Sequence, residues 1–218
     1  VSSGLLYYLD SANTFCYTSG SAKWYCASTL AFTKGKFYCE IKNMTTSNAS
    51  LSVGISMNPT ENQYQNHAVG ARNSDIGTEN YSGNIVINNS NVSVGYGSTW
   101  TADGDICMLA VDADNDKFYV GKNGVWANSD NPSTGTGGYD MSGVSGHSES
   151  TPFYHFAFGS TSGSYMNEFN VNFGNGNFGA TAITTNSGDG YSGAEGKSKF
   201  NYQPPTGFSA LSTRGLNE

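Results

Sequence analysis

Three observations predict an all-β protein built as a two-sheet antiparallel sandwich. Apolar residues recur at every second position in short runs, which is the period of a half-buried strand. Turn-forming residues separate those runs, and Gly alone supplies 28 of the 218 residues. No stretch carries apolar residues at helical spacing between caps, so any helix is expected to be a single turn.

The first clear strand sets Phe37, Cys39 and Ile41 against Tyr38, Glu40 and Lys42. Leu51, Val53, Ile55 and Met57 follow, with Ser52, Gly54 and Ser56 between them. Each reads as one core-facing side and one polar side, as antiparallel sandwiches require. Ile106 to Val111 is apolar on both parities and is expected as a central strand covered on each side. Asp112 to Asp116 then reads as a hairpin connection to the run that starts at Phe118. Asn123-Gly124 supplies the positive φ angles of a type I′ turn. Aromatic residues mark a strand over Phe153 to Phe158, and Phe169, Val171 and Phe173 alternate with Asn170 and Asn172. Longer polar loops are expected over about 58–80, 126–151 and 184–198. Neither a tandem repeat nor a linker divides the chain, so one domain is expected over 1–218. Leu51, Val53, Ile55, Leu109, Val111, Phe118, Phe156, Phe169, Val171 and Phe173 are expected to share one core.

Charged residues make up 12% of the chain, against roughly 25% in an average soluble domain. With 13% aromatics, the chain has enough apolar material to offset its conformational entropy, which argues against disorder. The net charge of −7 and ten scattered basic residues weigh against nucleic acid, since phosphate binding needs clustered Lys and Arg. No apolar run approaches the roughly 18 residues of a membrane span, and no charged leader precedes an apolar core. A chain that opens at Val1 reads as a processed product or a segment of something longer.

Four cysteines permit three pairings. Cys39 and Cys107 fall within apolar runs and read as small core residues. Cys16 and Cys26 are the one pair open to a disulfide, and free thiols are the expectation. Asp112, Asp114 and Asp116 alternate as at the start of an EF-hand loop, but Lys117 stands where that loop needs Gly and Asn123 where it needs Glu. A turn capped by its own Asp side chains is expected instead, with no structural metal. His67, His147 and His155 lack metal-ligand spacing, and His155 is expected to be packed and hydrogen-bonded. There is no Gly-x-Ser-x-Gly elbow and no phosphate loop. A glycosidase needs two carboxylates flanking the scissile bond, whereas Glu40 and Glu168 each stand alone on a strand. The expectation is a protein that is not an enzyme and needs no cofactor.

Three stretches in order resemble the SPRY family. The first is Gly35-Lys36-Phe37-Tyr38-Cys39-Glu40-Ile41, followed by Val53-Gly54-Ile55. The second is Gly104-Asp105-Ile106 through Asp112, then Phe118-Tyr119-Val120-Gly121-Lys122-Asn123-Gly124-Val125-Trp126. The third is Val171-Asn172-Phe173-Gly174, with Pro204-Pro205-Thr206-Gly207-Phe208-Ser209-Ala210-Leu211 closing the domain. The resemblance covers about residues 30–212. Cys39 stands where the family usually has an aromatic, the Asp112 turn is more acidic than typical, and 140–168 fits poorly. The family implies a bent two-sheet antiparallel sandwich of the concanavalin-like jelly-roll kind, without catalytic residues, that binds partners through loops at one edge. Trp126 to Pro132 and Phe200 to Leu211 are similar to SPRY domains of phage and marine viral structural proteins.

The resemblance therefore implies a binding or structural module of a virion, such as a tail-fibre, decoration or capsid-associated protein. Its expected partners are other proteins of the particle, further copies of the chain, or a host-surface receptor or glycan. Neither nucleic acid nor membrane insertion is expected. Two alternatives stand beside it: an intracellular adaptor that recognises a short peptide, and a carbohydrate-binding sandwich using Tyr64, Trp126 and Tyr139. If the domain works by recognition, the contacts should come from loops, with Tyr64, His67, Arg72, Trp126, Tyr139 and His147 as candidates. A sheet face carrying Asn170 and Asn172 is the competing surface.

Overall fold

The computed structural model describes residues 6–10, 14–18, 23–45, 50–58, 67–145, 152–162, 167–184 and 190–212. In chain order the strands are β1 (Leu6–Asp10), β2 (Thr14–Thr18), β3 (Trp24–Ala27), β4 (Lys36–Asn43), β5 (Leu51–Ser56) and β6 (Asp75–Glu79). Next come β7 (Ile85–Ile87), β8 (Ser90–Ser93), β9 (Ile106–Asp112), β10 (Lys117–Lys122), β11 (Val125–Trp126) and β12 (Tyr139–Asp140). The last are β13 (His155–Ser160), β14 (Asn167–Asn172), β15 (Asn177–Phe178), β16 (Thr181–Ala182) and β17 (Ser209–Ala210). Among the described residues the only helical pieces are 3-10 turns at Ala127–Ser129 and Pro132–Thr134.

Two main sheets form the sandwich. The first runs β1-β2-β14-β4-β9-β10-β11, with β12 added to β10 and β17 to β4. The second runs β3-β13-β5-β6-β7-β8. Strand pairing is antiparallel except for β17, which lies parallel to β4. The register sets Phe37 opposite Val111, Cys39 opposite Leu109 and Ile41 opposite Cys107. Those side chains meet Leu51, Val53, Ile55 and Phe156 of the second sheet in one buried cluster. Every residue expected in the core lies in that cluster, with Phe173 partly buried at its margin. Both hairpins read from the sequence are present. Asn123 and Gly124 have φ of 49° and 87° between β10 and β11. At the β9–β10 turn, Asp112 Oδ1 accepts from the N–H groups of Asp114 and Asn115 at 3.2 Å each.

The polar sides of the strands are where the structure departs from expectation. Tyr38 and Glu40, read as outward-facing, are fully buried. A strap over residues 190–211 crosses the outer face of the first sheet and seals Tyr38, Met108, Ala110 and Tyr119 beneath Phe200 and Phe208. The central β9 is therefore covered on both sides, as its doubly apolar sequence predicts. Glu40 is the pin of the strap. Its Oε1 accepts from Tyr202 N at 2.7 Å and Tyr38 Oη at 3.0 Å, and its Oε2 from Asn201 N at 2.9 Å and Asn172 Nδ2 at 3.3 Å. Asn172 also donates to the Lys199 carbonyl at 3.0 Å. The Asn170 and Asn172 face is thus buried and offers no docking surface.

The second sheet is covered differently. Ser52, Gly54, Gly77 and Ala157 alternate with the core residues, and Val69 lies against Ser52, Gly77 and Ala157. Val69 N donates to Ser52 Oγ at 3.0 Å. A Cβ at Gly77 would stand 2.6 Å from the Val69 carbonyl oxygen, so only glycine lets the loop approach this closely. The stretch 58–80 is consequently no simple loop, since β6 occupies its end. Asp75–Glu79 carries one large apolar residue, Ile76, too little for an alternation signal.

Candidate functional site

Among the described residues, strand directions bring 28–35, 57–58, 67–74, 88–89, 113–116, 141–145 and 152–154 to one end of the sandwich. Backbone bonds tie them together. Ser145 N donates to the Asn73 carbonyl at 2.6 Å, joining the two long loops that the sequence singles out. Asn88 N donates to Arg72 O at 3.1 Å and Asn89 N to Gly70 O at 3.0 Å, which docks the tip of the β7–β8 hairpin on the first of those loops. Asn88 and Asn89 take φ of 52° and 57°, values that Asn tolerates better than most residues. Met141 N donates to the Asp116 carbonyl at 2.9 Å, and Gly35 N to Asp114 Oδ1 at 3.0 Å. Loops held by such bonds present their side chains at low ordering cost.

The candidate residues are distributed unevenly over this frame. Arg72 and His67 are half-buried in the β5–β6 connection, and Arg72 stands at the assembled end. Tyr139 also lies there, opposite Phe118 on β10. Its ring packs edge-on to Tyr96 at 6.4 Å and against the main core, so it is a wall of the site. Burial, then the Asp140 charge, raises its phenol above the ordinary range. Trp126 lies at the other end of β10, opposite Gly121, with its ring edge-on to Tyr38 at 6.3 Å. It is a half-buried member of the strap cluster. Tyr64 and His147 lie outside the described residues.

Phe153 belongs with the assembled end although the sequence reading places it inside a strand. The strand begins at His155, and Phe153 is 57% exposed beside the Phe32–Tyr154 bridge. Its parity was the available signal: Tyr154, Phe156 and Phe158 face the core, which sends 153, 155 and 157 outward. His155 is half-buried with Nδ1 2.8 Å from the Ser28 carbonyl, so it serves as a strut.

The chemically loaded groups lie elsewhere. Burial pushes the Glu40 carboxyl up to about 7 despite four donors that favour its ionised form, but the strap separates it from solvent. Asp112 is saturated by the turn amides and by Lys36 Nζ at 2.8 Å. At the opposite end, burial alone would raise Asp105, yet Lys122, Asn123 and the Ala102 amide hold it below the usual range. Cys26, Cys39 and Cys107 are free thiols, and the Cys16 side chain lies outside the described residues. Burial pushes the Cys26 thiol up to about 12. Among the described residues no group of three or more His, Cys, Asp or Glu is placed to hold a metal. No helix of the described residues is long and apolar enough to cross a membrane.

No family model matches the chain, and no curated protein matches it. Among solved structures it is similar to the SPRY domain of human HERC1, with a TM-score of 0.54 and 16% identity over 77% of this chain and 93% of that one. The fold is SPRY-like. At that identity the likeness concerns architecture alone.

Proposed function

We propose that this SPRY-like domain is a non-catalytic recognition module that contacts its partner through the loop end bearing Arg72, Asn73 and Phe153. The observation that carries this reading is the bond between Asn73 and Ser145, which fuses two long polar loops into one surface on a rigid sandwich. Arg and aromatic side chains are the usual anchors of such surfaces, and Phe153 is one of few large apolar groups exposed among the described residues. The outer face of the first sheet supports the same reading, because the strap already occupies it.

The finer assignment is to a virion-type particle, as a tail-fibre, decoration or capsid-associated domain that binds subunits or a host surface. Its support is the resemblance of Trp126 to Pro132 and Phe200 to Leu211 to viral structural SPRY domains, with the low charge of the chain. The test is to display the domain on particles carrying Arg72→Ala or Phe153→Ala and measure assembly and attachment. Each variant should weaken the contact about tenfold or more, the scale of an anchor residue, with the melt unchanged. Normal assembly and attachment by both would refute the loop-end contact. Capture of short linear peptides, with neither particle nor host-surface binding, would replace the virion reading by the adaptor one.

A further inference from the structure

Beside the strap, at the β9–β10 turn, the first sheet ends in a row of charges. Lys36, Asp112 and Lys117 stand side by side on β4, β9 and β10, and by parity they share the outward face with Tyr38, Ala110 and Tyr119 of the next row. A cavity of about 540 Å³ opens there, lined by Lys36, Asn115, Lys117, Tyr119 and residues 133–135. Arg72, Asn73 and Phe153 take no part in its walls. Thr206 of the strap donates its N–H to Ser133 Oγ at 3.0 Å, which fixes the 133–135 wall.

The walls offer donors. Asp112 is fully buried and already takes Lys36 Nζ at 2.8 Å and Asn115 Nδ2 at 2.9 Å. Lys117 makes no ion pair among the described residues, and no carboxylate lines the cavity, so one ammonium is left uncompensated at its wall. Asp140, opposite Lys117 on β12, lies outside the lining and accepts from Ser142 N at 2.9 Å. Tyr119 is the unusual member. It is fully buried, yet its hydroxyl has no hydrogen-bond partner among the described residues. An unmatched buried hydroxyl costs stability, and phenylalanine would fill the same space without it. Burial, then the charges of Asp112 and Asp130, raises the phenol above its ordinary range, so it keeps its proton to donate. Ser133 Oγ accepts the Thr206 amide and has its own proton left. These groups call for a ligand that accepts and is negatively charged. A sulfate or phosphate ester presents three acceptor oxygens in several directions, matching donors that come from strands and a turn. The volume is that of a small-molecule site, and the Asn115 side-chain carbonyl remains to accept from a hydroxyl of the ligand's body.

We propose that this cavity binds a sulfate or phosphate ester of a small hydroxylated molecule, with Lys117, Tyr119 and Ser133 holding the oxyanion and Lys36 at its margin. The site goes beyond the loop-end reading and does not depend on it. One uncompensated charge in an open cavity implies weak binding that added salt reduces.

The test is titration of the whole domain at low salt with galactose 6-sulfate and galactose 6-phosphate, read by NMR shifts, with galactose as the uncharged control. At least one ester should saturate, with shifts at residues 36, 115–119 and 133–135, and galactose should not. Saturation by the sulfate alone assigns a sulfated ligand, and by the phosphate alone a phosphorylated one. Lys117→Gln and Tyr119→Phe should each weaken binding about tenfold, the scale of a hydrogen bond to a charged group. Tyr119→Phe should melt no lower than the parent, because the hydroxyl it removes bonds nothing in the free protein. Arg72→Ala and Phe153→Ala should leave ester binding unaltered, which separates failure of this site from failure of the loop-end reading. The proposal is overturned if neither ester saturates, if galactose binds as well as the esters, or if either cavity variant binds like the parent. A lower melt for Tyr119→Phe would also overturn it, since the hydroxyl would then serve the fold.

Discussion

On the first sheet the outward side chains include Tyr38, Met108 and Tyr119, and the strap brings Phe200 and Phe208 to meet them. On the second they are Ser52, Ala157 and two glycines, and loop backbone lies directly on Ser52 and Gly77. Large outward residues demand side-chain cover, because leaving them wet would forfeit roughly 1.5–3 kcal/mol each. Small ones admit a chain at backbone distance. The difference teaches that strand alternation identifies which residues face the main core, while the size of the alternate residues tells what covers the other side. It also leaves the loop end as a surface available to a partner.

The comparison can be broken most directly at the strap. Phe200 is fully buried, with its ring edge-on to Tyr38 at 4.8 Å. Phe200→Ala should cost about 3–5 kcal/mol by denaturant unfolding. A loss below 1 kcal/mol would mean that the strap is not part of the core.

Glu40 sharpens the comparison through pH. Its carboxyl ionises near 7 in the folded protein, raised from the ordinary 4.5. Between those values the unfolded chain releases a proton that the folded chain keeps, so stability falls as pH rises from about 4.5 to 7 and then levels off. At 1.36 kcal/mol for each pKa unit, the fall is of order 3 kcal/mol. Glu40→Gln should flatten this part of the profile, as compared in parallel melts. A parent profile equally flat over that range would contradict the buried, strap-sealed carboxylate.

The second sheet should respond less. Gly77→Ala pushes a methyl toward the Val69 carbonyl and should cost about 1–3 kcal/mol, the range for overpacking. Hydrogen exchange should show the damage as faster opening near Val69, with the strap unaffected. Smallest of all, Phe153→Ala should change stability by no more than about 0.5 kcal/mol, as surface substitutions do. A larger loss in thermal melts would place Phe153 in the core and remove it from the recognition surface.

Much of this arrangement was legible in the residues. Ile106 to Val111 is apolar at both parities and is the strand buried on both sides. Asn123-Gly124 and the Asp112 turn have the conformations their chemistry requires. The Glu40 clamp was not legible, because its partners Asn201 and Tyr202 donate backbone amides 161 and 162 positions away, and amides leave no trace in sequence. β6 was hidden for a related reason: Gly77 and Thr78 are chosen for close packing, which looks like loop composition. Of the candidate site, the sequence pointed to two long polar loops, and their joining through Asn73 and Ser145 left no sign in it, because it is a bond between backbone groups. Tyr139 and Trp126 looked exposed because polar neighbours surround them in sequence, whereas Tyr96 and Tyr38 cover them in space.

The covered first sheet is the central claim, and native-state hydrogen exchange tests it residue by residue. The amides of Asn201 and Tyr202 bond to Glu40, and that of Ala210 to Glu195 Oε2 at 3.2 Å. They should exchange as slowly as those of β9, opening only with global unfolding. Exchange at the rate of loop amides, with β9 still protected, would show that the strap lifts on its own. The outer face of the first sheet would then be a surface open to partners, and the loop-end account would be wrong.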